Sequence, residues 1–304
     1  MPIRAITHSV MLIISAWFSS GISQEPFAVI TNVSKKGRVF VKSDTSHSWK
    51  EAHTGTCIGI GDSIKTIEGA NATILYYNSG REFINGRQVI QPQEGGAPPW
   101  LSLVWKRLTS NQENLTEMGA SRGETGVLLC PRAGKLLSIR PIMIRTASAQ
   151  HKIYRVQLYE AASQKLVWQT TSQDTLIAYP ENAPALVDSQ EYRVQILPRG
   201  QFYPAAAETG TFFIASLSER NAIASWRIGM QNQYASHDSS DITIHLVLAS
   251  FFFQNAYYLE AYHEIQRALT KQPDNYAMRL LLLDWYRAVN LPSLHERLRE
   301  KLAQ

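Results

Sequence analysis

Eight histidines and two cysteines are the residues of this chain best suited to metal or nucleophilic chemistry, and spacing limits what they can do. The histidines are His8, His47, His53, His151, His237, His245, His263 and His295. A zinc site needs several ligands at close, paired spacings. Only His47, His53 and Cys57 fall near one another, and no fourth ligand accompanies them. The expected state of that stretch is a surface loop with incidental histidines. A nucleophilic Cys57 would need a base to generate its thiolate, and the sequence offers no partner for it. Gly59-Ile60-Gly61 lacks the third glycine and the following helix of a dinucleotide site. Neither a phosphate-binding loop with Lys and Ser/Thr nor a G-x-S-x-G elbow occurs. These residues predict a chain that is not an enzyme and carries no cofactor and no metal.

Two other groups of residues bear on function. In an oxidising compartment Cys57 and Cys130 are a candidate disulfide, with two separately buried thiols as the alternative. The run Phe251-Phe252-Phe253 with Tyr257-Tyr258 reads either as helix core and turn or as part of a groove for a peptide. On the groove reading, Tyr262, Arg267 and Arg279 are the candidate partner-binding residues on its rim.

The elements that position these residues follow from the pattern of the chain. Arg4 and His8 precede an apolar run at 10–18, and small residues at 21 and 23 suit cleavage before Gln24. This is the layout of a signal peptide over 1–23. The alternative is a retained anchor, but a bilayer span needs about 20 apolar residues. The expected location is periplasmic or secreted. The 304 residues suffice for two or three domains, and 44% hydrophobic against 18% charged residues is the balance of a folded protein. The formal net charge is +5, but the basic residues are scattered and Lys35-Lys36-Gly37-Arg38 is the densest group. That excludes a nucleic-acid stripe and leaves mild attraction to acidic polymers or membrane surfaces. No later run predicts insertion into a membrane.

Three folded zones are expected after the leader: an all-β unit over 24–92, a β-sandwich over 127–215 and a helical region over 216–304. In the first, Gly- and Asn-separated runs such as Arg38-Val39-Phe40-Val41 and Arg81-Glu82-Phe83-Ile84 read as short strands. Asn85-Gly86 predicts a two-residue hairpin between Phe83-Ile84 and Gln88-Val89-Ile90. Pro- and Gly-rich residues 91–99 open a linker over 93–126, with one short helix expected at 100–108. In the second zone, alternation such as Tyr154, Val156 and Leu158 on one face predicts six or seven strands. In the third, Ser216 to Glu219 is a capping box, and apolar residues then repeat at helical spacing through five helices.

The first zone resembles the FecR domain of bacterial envelope proteins. The residues that carry the likeness are Gly37-Arg38-Val39, Trp49, Gly61-Asp62-Ser63-Ile64-Lys65-Thr66, Gly69 through Leu75, and Gly80, with Ser79 where the family has Asp. Gly61, Asp62, Thr66, Gly69 and Gly80 are expected to be structural, the Asp closing a turn on backbone N–H groups. The resemblance implies a β domain, and some members of the family relay a signal to a sigma factor. That relay needs a cytoplasmic segment and a membrane helix ahead of the domain, so a sensor of that type is not expected here.

The helical region resembles tetratricopeptide repeats. Leu248, Ala249, Phe252, Ala261, Ile265 and Ala268 fall on the repeat's key positions, and Pro273 closes the unit. His245 stands at the repeat's tryptophan position. A second, degraded unit starts at Tyr276, where His295 and Arg299 depart from the pattern. The middle zone resembles immunoglobulin-like or fibronectin-like modules at Arg140-Pro141, Leu186 and Tyr192-Arg193-Val194. Together these imply an exported, non-enzymatic binding or scaffold protein of the bacterial cell envelope, or an envelope structural and assembly factor. The expected partner is an envelope protein or peptide held by the C-terminal helices, or a cell-wall polymer or glycan.

Overall fold

The computed structural model describes residues 26–34, 37–46, 48–78, 80–91, 127–200, 208–234, 236 and 238–303. The expected leader at 1–23 and the whole of the 93–126 linker, with its short helix at 100–108, lie outside the described residues. So do His8, Lys35, Lys36, His47, Ser79 and His237. Among the described residues, the chain forms β-sheets first and five α-helices last.

Eight short strands build the first unit: β1 (Pro26–Val33), β2 (Arg38–Lys42), β3 (Lys50–Ala52), β4 (Cys57–Gly59), β5 (Ser63–Ile67), β6 (Ala72–Tyr76), β7 (Arg81–Ile84) and β8 (Arg87–Val89). They form two four-stranded sheets, ordered β4-β1-β6-β7 and β3-β2-β5-β8. Alternate residues Ala28, Ile30, Val39, Ile58, Ile64, Ile74 and Ile84 meet in the core of this unit. Gly37 has φ +78, and a Cβ there would lie 2.2 Å from the Ile67 carbonyl oxygen, so only glycine fits. The hairpin expected at Asn85-Gly86 does not form. β7 pairs with β6 in one sheet while β8 pairs with β5 in the other. Gly86 (φ +103) does turn the chain, but its carbonyl accepts from Thr66 N at 2.8 Å and its N–H donates to Thr66 Oγ1 at 2.7 Å. Those bonds draw the strand after the turn onto β5.

The second unit has two sandwich-like sheets, called the sandwich below. Its strands are β9 (Leu128–Cys130), β10 (Lys135–Leu136), β11 (Ile142–Arg145), β12 (Tyr154–Glu160), β13 (Leu166–Ser172), β14 (Leu176–Ala178), β15 (Glu191–Pro198) and β16 (Glu208–Ile214). The sheets are ordered β10-β16-β15-β12-β13 and β14-β11-β9, and β10 runs parallel to β16. Tyr154, Val156 and Leu158 of β12 are buried, as their period-two spacing requires.

The helices are α1 (Leu217–Gln233), α2 (Thr243–Gln254), α3 (Tyr258–Lys271), α4 (Tyr276–Ala288) and α5 (Pro292–Ala303). Ser216 caps α1, accepting from Glu219 N at 3.2 Å, and Asn275 caps α4, accepting from Met278 N at 3.0 Å. Ala249 of α2 and Ala261 of α3 are fully buried, which lets these two helices approach closely. The Phe251–Phe253 run packs on the core: Phe252 is fully buried, the half-buried Phe251 stacks on Trp226 with ring centroids 3.8 Å apart, and the half-buried Phe253 meets Tyr258 at 5.8 Å.

The three zones are not beads on a string. Sandwich and helices share one core, which also takes in Val29 and Leu75 from the first unit. Strand β6 is buried along its whole length because one face covers its own unit's core and the other faces this shared core. At the sandwich–helix contact, Gly134 (φ +81) sits where a Cβ would come within 2.1 Å of the Ala256 carbonyl oxygen. Next to it, Lys135 N donates to that oxygen at 2.7 Å. No helix among the described residues is long and apolar enough to cross a membrane.

Candidate functional site

A cleft of about 220 Å³ opens where α1, α2 and α3 converge. Arg227 comes from α1, His245 from α2, and Glu264, Arg267 and Lys271 from α3. Glu264 is the centre of the group, with 2% of its side chain exposed. Its Oε1 accepts from Arg227 Nη2 at 2.9 Å and from Arg267 Nη1 at 2.6 Å. Its Oε2 lies 2.8 Å from His245 Nδ1. Burial alone pushes a carboxyl pKa up. Here the His245 hydrogen bond and the Arg267, His245 and Arg227 charges outweigh burial and hold Glu264 below the ordinary carboxylate range. Arg267 remains open to solvent, with 55% of its side chain exposed.

The wall of the cleft between α1 and α2 is tied to the first β unit. Arg81 of β7 donates to the Tyr234 carbonyl at 3.0 Å and approaches the buried Asp241 carboxylate at 3.9 Å. Asn32 of β1 donates to Asp238 Oδ2 at 2.6 Å. Thr243 opens α2: its hydroxyl donates to Asp241 Oδ1 at 2.6 Å and meets the Thr31 hydroxyl at 2.7 Å. Gln272 donates to the Thr31 carbonyl at 3.2 Å and to the Ser240 carbonyl at 2.7 Å. Two β strands thus hold the segment between α1 and α2 against the end of α3, which fixes the shape of the cleft.

Only one of the three rim residues expected from sequence reaches this cleft. Arg267 lines it. Tyr262 does not: its ring lies 4.8 Å from that of the fully buried Trp285, so it belongs to the α3–α4 seam. Arg279 is engaged at the start of α4, donating to the Pro273 carbonyl at 2.9 Å and to Asp274 at 2.5 Å. The sequence reading missed Glu264, Arg227 and His245 as a group. One signal could have found them: Glu264 interrupts the apolar stripe Ala261, Ile265, Ala268.

The disulfide expected of Cys57 and Cys130 is not present, and both thiols are free. Cys57 sits on β4 at the first unit's own sheet, whereas Cys130 is buried in the core shared by sandwich and helices. Burial pushes the Cys57 thiol up to about 11. Burial, then the nearby Glu260 charge, raises Cys130 well above its ordinary value. Neither is poised as a thiolate at neutral pH. His53 is exposed, and no cluster of three metal-ligating side chains occurs among the described residues. Asp62, only 7% exposed, accepts from Gly59 N at 2.8 Å and from Asp44 N at 3.0 Å, which closes the turn at Gly61 (φ +84). Thr66 binds Gly86, and Gly80 N donates to Asn78 Oδ1 at 3.0 Å. Gly69 is in a turn at φ +75. Compared with known proteins, the chain matches no family model and no curated protein.

Proposed function

We propose that the chain is an exported, non-enzymatic binding or scaffold protein of the bacterial cell envelope, and that its helical cleft takes one side chain or chain end of a partner protein. The observation that carries this reading is the state of the cleft. Its volume of about 220 Å³ falls below the roughly 300–1,000 Å³ of pockets that enclose a whole small molecule. Its central acid is committed to Arg227, Arg267 and His245 and stays ionised. A general base works best with a pKa near the operating pH, and Glu264 is displaced the other way. The export half of the reading rests on the sequence of residues 1–23.

Other features support the finer assignments. β10 leaves the β9 sheet to pair in parallel with β16, a strand switch that suits an immunoglobulin-like sandwich. The Tyr192 hydroxyl at the start of β15 accepts from Val187 N at 2.9 Å, as the tyrosine corner of such sandwiches does. The closed Gly61-Asp62 turn is in keeping with a FecR-like first unit. Leu248, Phe252, Ile265 and Ala268 fill the α2–α3 seam, in keeping with a tetratricopeptide-like hairpin. The shared core supports a scaffold that presents its surfaces in fixed relation.

The test is site-specific photo-cross-linking of the full chain in the native envelope. A photoreactive residue replacing Lys271 should yield one protein adduct, and the same residue replacing Gln254 at the far end of α2 should not. Equal labelling from both positions, or none from 271, overturns the cleft as a partner site. Export is read separately, as a mature chain beginning at Gln24 outside the cytoplasm.

A further inference from the structure

We propose that the outer face of the β3-β2-β5-β8 sheet binds a linear acidic polysaccharide. The site is separate from the helical cleft and does not depend on it. The strand register builds it: Phe40 stands opposite Glu51 on one side and Lys65 on the other, and Lys65 stands opposite Arg87. These four residues form one row across all four strands. Lys42 and Arg38 lie two residues to either side of Phe40 and share its face. Val39 and Ile64, on the opposite face, fill the core.

Trp49 stands over this row. Lys65 Nζ lies 4.3 Å from its ring centroid, the Arg87 guanidinium 5.6 Å and Lys42 Nζ 5.9 Å. Lys65 is also 5.3 Å from the Phe40 ring. Among the described residues none of Arg38, Lys42, Lys65 and Arg87 forms an ion pair with a carboxylate, and Glu51 is the one acid in the row. Four cations against one acid on a face with strands about 5 Å apart is a strong, regular positive field. Aromatic rings hold the ammonium groups in place without neutralising them. The complement of such a face is a chain of negative charges at regular spacing.

The details favour a polysaccharide over other polyanions. Base stacking needs an open ring face, and cations already surround the half-buried Trp49 ring. A membrane surface is gripped by several protruding apolar groups, and among the described strand residues of this face Val89 is the one large apolar side chain that is exposed. Lys42 and Lys65 act as point charges, while the Arg38 and Arg87 guanidiniums match the two oxygens of a carboxylate.

The experiment uses labelled polygalacturonate fragments and the full chain at low ionic strength. Neutral dextran, oligothymidylate and phosphatidylglycerol vesicles form the comparison arms. The expected result is saturable polygalacturonate binding that weakens as salt rises. The double variant Lys65→Gln with Arg87→Gln should lose about tenfold in affinity or more. Thermal melting checks that it folds. If it does not, Arg38→Gln with Arg87→Gln takes its place, since both of these side chains are exposed. Arg267→Ala in the cleft should leave binding unchanged, which separates this face from the site proposed for a protein partner. Retained affinity in whichever double variant folds overturns the proposal. So does tighter binding of oligothymidylate or vesicles, or no binding of polygalacturonate at low salt.

Discussion

Glu260 and Glu264 lie one turn apart on α3, with their carboxylates turned into the protein toward different neighbours. Glu264 faces α1 and α2, where two guanidiniums and an imidazole surround it. Glu260 faces the sandwich. Its Oε1 accepts from Leu137 N at 2.9 Å, and its Oε2 is shut off from solvent without a hydrogen-bond partner. Burial pushes Glu260 up to about 7, against which the Leu137 N–H, its own backbone N–H and the more distant Arg227 make only a partial return. The same side chain on the same helix is therefore held as an anion at one contact and titrates near neutral pH at the other. What differs is the neighbour: an array of cations offsets desolvation, and a lone backbone donor does not.

The largest effect should come from breaking the better-satisfied side. Glu264→Ala leaves Arg227, Arg267 and His245 facing one another around an uncharged cavity. Removing one partner of a buried ionic group costs about 3–5 kcal/mol. Arg227 and Arg267 are 34% and 55% exposed and can turn partly to water, which places this case near the lower end. A drop in the urea midpoint equivalent to about 3 kcal/mol is expected. Glu264→Gln, which keeps an acceptor, should lose clearly less. Equal losses in the two variants would mean that packing, and not charge, holds the cleft together.

Much of this arrangement was legible in the residues, and the rest was not for identifiable reasons. The five helices and most long strands follow from the spacing of apolar residues along the chain. Capping at Ser216 and the turn at Asp62 follow from local side-chain chemistry. Asn85-Gly86 misled because a turn signal specifies that the chain reverses, not which sheet receives it; the long-range bonds to Thr66 decide that. Tyr262 and Arg279 misled because polar or aromatic type does not reveal which seam a helix face meets. Arg38, Lys42, Lys65 and Arg87 look scattered along the chain, and only strand register gathers them. The two glutamates carry the same limit, since Leu137 and Arg227, which set them apart, are distant in sequence.

The second prediction sharpens the contrast through pH. An acid whose folded pKa is raised binds its proton more tightly folded than unfolded. Its destabilising contribution is absent below the ordinary value of 4.5, grows as pH rises, and is complete above about 7. Glu264 has the opposite sign: its stabilising contribution is present above 4.5 and is lost as pH falls through its lower folded value. Glu260→Gln mimics the protonated acid at every pH. It should match the parent chain near pH 4 and exceed it at pH 8 by about 2–3 kcal/mol, or several degrees in melting temperature. A constant difference from pH 4 to pH 8 would show that Glu260 binds its proton no more tightly in the folded chain than in the unfolded one.

The smallest effect is at Arg267, and it separates structure from recognition. Its 2.6 Å bond to Glu264 is one of three on that carboxylate, and more than half of its side chain is in water. Exposed pairs of this kind contribute about 0.2–1 kcal/mol. Arg227 and His245 remain when it is removed, so Glu264 stays paired and ionised. Arg267→Ala should therefore shift the unfolding midpoint by under about 1 kcal/mol while abolishing the photo-adduct from position 271. A loss of stability as large as that of Glu264→Ala, with the adduct unchanged, would assign Arg267 to the scaffold and leave the cleft without its recognition group.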